Sequence, residues 1–196
     1  MLVTKVFLVN ISLLLLTGVA MSGENLEMIL DKKVGVVTLQ LDGTSTIELK
    51  KSADDKIKLE DIKYKGTSHN PIKMFVDGNM VKIIQKAAEN NFSVDYTLYV
   101  PVNKELTFSA GNLNLSGELS AKELKITSGN ITVKGKFEIE DEVSISSGNA
   151  DFSLVLNKCK RLKFTTGNAT GKVHVPNGCK HSAPPFWSKL KIQELQ

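Results

Sequence analysis

Acidic side chains crowd into one short stretch of the chain, and they are the groups best suited to acid–base chemistry. The stretch contains Glu138, Glu140, Asp141 and Glu142. Two nearby carboxyl groups can serve as acid and base in the cleavage of polysaccharides. Here Glu138 and Glu140 alternate with apolar Phe137 and Ile139, so we expect both carboxylates to point outward from a strand. The pattern predicts a solvated acidic surface rather than a catalytic pair.

Other groups that support catalysis are scattered along the sequence. The histidines are His69, His174 and His181, and none has a His or Cys neighbour at the spacing of zinc ligands. The Gly-x-Ser-x-Gly elbow of serine hydrolases is absent. The Gly-Gly-x-Gly-x-Asp run of calcium-binding β-rolls is absent too. We therefore expect no catalytic residue, no metal site, no cofactor and no enzymatic activity.

The two cysteines hold nearly equivalent positions in a repeated pattern. Cys159 lies 11 residues after Gly148, and Cys179 lies 12 residues after Gly167. Stacked strands are about 4.8 Å apart, which falls within the Cα separation of about 4.4–6.8 Å that a disulfide needs. We predict a disulfide between Cys159 and Cys179 that joins two successive repeats.

The repeated pattern is a segment of about 19 residues centred on a Gly-Asn pair. Its four copies contain Gly111 and Asn112, Gly129 and Asn130, Gly148 and Asn149, and Gly167 and Asn168. Apolar residues alternate before and after each pair, as at Leu124, Ile126, Ile131 and Val133, which is typical of strands. Since Gly tolerates positive φ, the pattern predicts a strand, a tight turn and a strand in each unit.

Two topologies accommodate such units. One is a meander of antiparallel hairpins. The other is an all-β parallel β-solenoid, a single-stranded β-helix with about 18–19 residues per coil in the C-terminal half. The solenoid is favoured, because it stacks the four asparagines into a hydrogen-bonded ladder. We assign this ladder to turn stabilisation rather than to ligand binding.

The N-terminal half also contains strands but lacks the repeat, and we expect it to form irregular β coils or a cap. Asp42-Gly43 and Asp77-Gly78-Asn79 predict turns. Ser22–Asp31 is the one segment with weak helical character. At the other end, the Pro-rich tail places Phe186 and Trp187 where they can cover the last coil.

Boundaries follow from these changes in pattern. We divide the chain into a signal peptide (1–22), an N-terminal lead-in (23–34), an N-terminal β region (35–101), a four-repeat β-solenoid (102–178) and a C-terminal cap or tail (179–196).

The first 22 residues have the features of a secretory signal peptide. An apolar run of about 14 residues follows Lys5, shorter than the about 20 residues of a membrane-spanning helix. Small residues then predict cleavage after Ala20 or Ser22, and the alternative is an uncleaved N-terminal anchor. We expect an exported protein that is periplasmic, cell-surface or secreted, with no membrane span after cleavage.

The charge balance bears on the partners. The whole chain carries a formal net charge of +4, and Arg161 is its single arginine. Proteins that bind nucleic acid favour arginine for its bidentate hydrogen bonds, so we expect no nucleic-acid partner. Outward lysines such as Lys125 and Lys163 are expected to prevent unwanted strand pairing, and the alternative is a shallow basic face for anionic glycans.

A family resemblance rests on the Tyr99-Val-Pro101 entry into the repeats and on the serial Ser/Thr-x-Gly-Asn turns. Over roughly residues 35–178 the chain resembles the bacterial putative-adhesin domain family, which is related to head domains of putative autotransporter adhesins. The resemblance implies a parallel β-solenoid in the cell envelope and supplies no catalytic residues.

The predicted function is therefore a non-enzymatic, adhesin-like module that presents an extended β face to an unknown surface glycan or envelope protein. We expect a monomer or a weak oligomer. Two alternatives remain: a polysaccharide-active β-helix enzyme, and a structural envelope scaffold that assembles end to end.

Overall fold

The computed structural model describes residues 22–30, 33–66, 72–86, 92–182 and 188–195. Within these ranges the chain is all-β, as predicted, and contains no helix. Its strands are β1 (Ser22–Ile29), β2 (Val36–Lys51), β3 (Lys56–Lys65), β4 (Lys73–Asp77), β5 (Met80–Gln85), β6 (Ser93–Val100), β7 (Glu105–Lys158), β8 (Arg161–Val175), β9 (Lys180–His181) and β10 (Lys189–Glu194).

The strands form one open, mixed sheet. Its order is β1-β3-β6-β2-β7-β8-β10, with β4 and β5 paired beside β2 and β9 paired with β8. From β6 through β2, β7 and β8 to β10 every pairing is parallel, whereas β1–β3 and β3–β6 are antiparallel. The parallel part therefore contains the repeats, and the antiparallel part lies at the N-terminal end.

Alternation of apolar residues drives this arrangement. In β7 the side chains of Leu124, Ile126, Ile131 and Val133 are buried, and the residues between them face outward or sit at corners. Phe108 and Phe137 are wholly buried. Burying one such side chain contributes roughly 1.5–3 kcal/mol, so the inward-facing residues along the stack account for much of the stability.

Successive repeats pair in register. Between β7 and β8, Val143 lies beside Leu162, and Asn149 lies beside Asn168. β2 joins the same stack, although it lacks a Gly-Asn pair, because Thr44 lies beside Asn112. The parallel pairing is the arrangement that equivalent sequence positions favour, since each side chain meets its counterpart in the next repeat.

The sequence predicts that the chain reverses at Asp42-Gly43, and this prediction is wrong. β2 continues through it, and the register with β7 shifts between Leu41 and Thr44. Gly43 has a φ of 70°, so it bends the strand at a corner while parallel pairing continues on both sides. A hairpin there would have required antiparallel pairing. The second predicted turn is confirmed, because β4 and β5 pair antiparallel around Gly78.

The helix expected within Ser22–Asp31 is also wrong. β1 occupies that segment and pairs antiparallel with β3, with Leu26 beside Leu59. Leu26 and Met28 pack against the core from alternate positions, and exposed Glu27 lies between them. Pairing with a neighbouring strand thus outweighs a weak local helical preference.

The tail adds a strand that the sequence pattern did not predict. β10 pairs parallel with β8, with Leu190 beside Gly171 and Ile192 beside Val173. It covers the part of the β8 edge formed by residues 170–175. The predicted cap at Phe186 and Trp187 lies outside the described residues, as does the predicted signal segment up to residue 21. Among the described residues no helix is long and apolar enough to cross a membrane.

Candidate functional site

Asparagine side chains of the four repeats form a hydrogen-bonded line across the strands, which we call the Asn row (Asn112, Asn130, Asn149 and Asn168). The Nδ2 group of Asn130 donates to Oδ1 of Asn112 over 2.6 Å. Asn149 donates to Asn130 over 2.7 Å, and Asn168 donates to Asn149 over 3.0 Å. Each amide in the middle of the row thus keeps a second N–H group for a ligand.

Close backbone approach explains the glycine that precedes each asparagine. A Cβ atom on Gly129 would lie 2.8 Å from the carbonyl oxygen of Gly111, and one on Gly148 would lie 2.9 Å from that of Gly129. These glycines do not have positive φ, so the turn conformation expected from the sequence is not the reason for them. The reason is that successive corners stack with no room for a side chain.

A buried hydroxyl supports the same corner. Ser128 is 6% exposed, and its Oγ donates to the carbonyl oxygens of Asn130, at 2.7 Å, and Gly111, at 3.1 Å. These bonds connect one repeat with the repeat before it and fix the direction in which the asparagine leaves the corner. The equivalent hydroxyls of Ser147 and Thr166 are buried without a hydrogen-bond partner among the described residues, so this support is specific to the corner of Ser128.

Two further rows run parallel to the Asn row. The second row, two residues along each strand, contains Thr46, Asn114, Thr132, Asp151, Thr170 and Lys189. The third row, two residues further, contains Glu48, Ser116, Lys134, Ser153, Lys172 and Lys191. We call the three rows together the outer face. Between the first two rows lies a shallow depression of about 340 Å³, floored by Leu113, Ile131 and Ala150.

The second row is also fixed by hydrogen bonds. Thr170 donates to Oδ1 of Asp151 over 2.8 Å. Because neighbouring side chains hold each other, the outer face presents amide, hydroxyl and carboxylate groups at the regular spacing of the strands, about 4.8 Å. Such a face can make many equivalent hydrogen bonds to an extended polar ligand.

The lysines named from the sequence are not free. Nζ of Lys125 lies 3.6 Å from Glu123, and Nζ of Lys163 lies 3.0 Å from Glu142. On the outer face, four lysines that the sequence pattern did not single out form no ion pair among the described residues. They are Lys134, Lys172, Lys189 and Lys191, which are all exposed and all on the outer face.

The acidic stretch is held in ion pairs. Asp141 lies 2.6 Å from Nζ of Lys160, and Glu142 contacts both Arg161 and Lys163 at 3.0 Å. Hydrogen bonds from Lys160 and Lys163 hold the pKa of Asp141 and of Glu142, respectively, below the usual range. A general acid requires a raised pKa, so these two carboxylates are poorly suited to proton donation.

The other carboxylates of the stretch face outward, as expected. Phe137 and Ile139 are buried on either side of Glu138, which pairs with Lys51 at 3.2 Å. Among the described residues no three His, Cys, Asp or Glu side chains are placed to hold a metal ion. His174 and His181 lie in β8 and β9, and His69 lies outside the described residues.

The two cysteines lie side by side. They approach to 3.0 Å without a covalent bond, and both are buried. Cys159 donates a weak hydrogen bond to the carbonyl oxygen of Arg161 over 3.2 Å. Burial raises the pKa of the Cys159 thiol to about 12 and also raises that of Cys179. Both thiols are therefore protonated at neutral pH and slow to react in the folded protein.

Among known proteins, similarity is found to solved structures and not to sequences. The sequence matches no family profile and no curated protein. A putative cell adhesion protein from Clostridium sporogenes is 17% identical, with 88% of this chain and 94% of that chain covered and a TM-score of 0.47. A putative adhesin from Parabacteroides merdae is 12% identical, with 89% and 96% covered and a TM-score of 0.29. At such values the function has to rest on this chain's own residues.

Proposed function

We propose that the parallel part of the sheet is a β-solenoid in which each repeat is one coil of 18–19 residues. The in-register pairing of β7 with β8 and the stacked corners of Gly111 and Gly129 support this fold. Residues 102–178 form the four repeated coils, and β2 adds a coil of its own from within the N-terminal region of 35–101.

The protein acts as a non-enzymatic binding module of the cell envelope or cell surface. The observation that carries this proposal is the outer face, where three rows of polar side chains stand in fixed register on a rigid sheet. A flat array of this kind suits a partner with a repeating structure, such as a surface glycan or an extended envelope protein, because many weak contacts add up along its length.

Export is part of the proposal. A signal peptide of residues 1–22, cleaved after Ala20 or Ser22, delivers the chain beyond the inner membrane. In that oxidising compartment the adjacent Cys159 and Cys179 form a disulfide across the last two repeats. Their approach to 3.0 Å supports this assignment.

A binding screen tests the function. Purified mature protein is incubated with cell-envelope fractions and immobilised glycans, and bound protein is quantified. The comparison variant is Asn130→Asp with Asn149→Asp, which places carboxylates in the middle of the Asn row and leaves the size of the side chains unchanged. We expect the native protein to be retained by at least one fraction and the variant to be retained less. Absence of any retention, or equal retention of a correctly folded variant, contradicts the proposal.

A further inference from the structure

Positive charge collects at one end of the outer face. Lys172 and Lys191 lie directly beside each other in the pairing of β8 with β10, and Lys189 lies beside Thr170. Lys134 occupies the same row two strands away, because Asn130, four residues before it, is stacked on its counterparts in the next two repeats. Ser153 and Ser116 occupy this row in the other repeats, and Glu48 of β2 lies beside Ser116 at the far end, where it pairs with Lys50 at 3.3 Å.

This charge lacks compensation from the protein. Like charges directly opposite each other on neighbouring strands are destabilising, and Lys172 and Lys191 have that relationship. Lys163, in contrast, pairs with Glu142 at 3.0 Å. The described part of the chain offers no recorded carboxylate partner for the lysines of the third row. An anionic ligand seated here would remove the repulsion.

We propose that the outer face binds an extended acidic polysaccharide that lies across the strands along the third row, with carboxylate groups at Lys134 and at the adjacent pair of Lys172 and Lys191, and with hydroxyl groups against the second row. This inference rests on the proposed binding function and names its ligand class. Lysine supplies the charge, and the amides and threonine hydroxyls supply neutral donors and acceptors for sugar hydroxyls.

The spacing of the lysines favours a polyuronide. Lys134 and Lys172 are separated by two strand spacings, about 10 Å. In a two-fold, extended chain of linked uronic acids, the carboxylates on one side recur every second sugar at close to that distance. The intervening sugar then lies over Ser153 of the intervening repeat. A ligand with a negative charge at every step would instead meet the carboxylate of Asp151, which lies in the second row.

An oligomannuronate long enough to span the repeats is the probe, and its methyl ester is the uncharged match. Affinity is measured by calorimetry for the native protein and two variants. Lys172→Ser with Lys191→Ser copies the serine that other repeats carry in the third row. Lys73→Ser with Lys180→Ser removes the same charge from exposed sites outside the outer face. Circular dichroism and thermal unfolding establish that each variant is folded.

We expect the native protein to bind the acid form more tightly than the ester. The Lys172 and Lys191 variant should bind about fivefold to tenfold more weakly, and the Lys73 and Lys180 variant should bind as the native protein does. Replacement of Asp151 by Asn should tighten binding. Raising the ionic strength from about 0.1 M to about 1 M should weaken binding, because the Debye length falls from about 10 Å to about 3 Å.

Three outcomes overturn the inference: equal binding of acid and ester, equal loss in both lysine variants, or equally tight binding of single-stranded DNA. Retention by envelope fractions that is unaffected in the Lys172 and Lys191 variant also overturns it, and in that case the proposed binding function stands. Absence of binding to every envelope fraction and glycan removes both proposals together.

Discussion

The side chain of Asn130 donates a hydrogen bond to Asn112 and accepts one from Asn149, over 2.6 and 2.7 Å. One amide thus connects three successive repeats on an exposed face. The relationship makes the Asn row a structural support of the stacked corners, in which each amide is held by its neighbours.

Replacement of Asn130 by Ala should destabilise the protein. Two hydrogen bonds are lost, each worth a net 0.5–1.5 kcal/mol or so, which predicts a decrease of about 1–3 kcal/mol in the free energy of unfolding. Denaturant unfolding followed by circular dichroism measures it. The control is Asn157→Ala, an exposed asparagine outside the row, with an expected change within about 0.5 kcal/mol. Equal effects of the two substitutions would remove the structural role of the row.

Replacement of Gly129 by Ala adds only one methyl group, but it should lower the free energy of unfolding. The new Cβ would lie 2.8 Å from a backbone oxygen of the preceding repeat, so the stacked corners must separate. We expect a loss of about 1–3 kcal/mol, typical of overpacking. Gly35→Ala is the matched control, because a Cβ there meets nothing within 4 Å. Thermal unfolding distinguishes the two, and an unchanged melting temperature for Gly129→Ala would contradict the close approach.

The proposed disulfide should be detected by mass spectrometry of protein secreted by its native route. Alkylation in denaturant without reduction should leave Cys159 and Cys179 unmodified, and alkylation in denaturant after reduction should label both. The bridge would close a loop of about 20 residues, for which chain entropy predicts about 3 kcal/mol of stabilisation. Reductant should then lower the melting temperature of the native protein and leave the Cys159→Ser, Cys179→Ser variant unchanged. Two labelled thiols without reduction would contradict the bridge.

The ion pairs of Glu142 predict a dependence of stability on pH. The hydrogen bond from Lys163 holds the pKa of Glu142 below its usual value of 4.5 in the folded protein. A carboxyl whose folded pKa is depressed stabilises the protein above the unfolded pKa, and this stabilisation is lost as the pH falls through the folded pKa. Glu142→Gln should therefore flatten the loss of stability below about pH 4.5. Glu140→Gln, at an exposed position, is the control. Parallel pH profiles for the native protein and Glu142→Gln would contradict the pairing.

Removal of β10 should cause self-association. Truncation after Ser182 exposes the edge of β8, whose backbone groups now pair with Lys189–Glu194. Open strand edges pair with other chains, so we expect concentration-dependent oligomers in sedimentation velocity. The full chain, with the edge covered, is the control. A truncated protein that stays monomeric at the same concentrations would contradict this role of the tail.

The parts of the fold that depend on local sequence patterns could be predicted from the sequence. The Gly-Asn spacing predicted the equivalent placement of Asn149 and Asn168, and alternation predicted the inward side chains of β7. The stack was harder to recognise at β2, because its corner is Asp42-Gly43 followed by Thr44 rather than a Gly-Asn pair. Pairing with a distant strand, rather than local sequence, places β2 in the stack.

The candidate site was predictable only in part for the same reason. Whether a lysine is free depends on the neighbours that the next strand supplies. Lys163 meets Glu142 from the preceding repeat, whereas Lys172 meets Lys191 from the tail. These neighbours are 19–21 residues away in sequence, and the alternation of a single strand holds no information about them.

The place of β2 in the stack sets an order for folding. Asn130 and Asn112 are 18 residues apart, and Asn149 and Asn130 are 19 apart, so each repeat can add to its neighbour through a short loop. Thr44 and Asn112 meet across 68 residues, and closing that longer loop costs more chain entropy. Contacts of such high sequence separation slow folding. In a chain that emerges from its N-terminal end, β2 can pair with β5 and β6 first, whereas its second edge stays open until β7 follows. Premature pairing of this open edge with another chain competes with formation of the joint between β2 and β7.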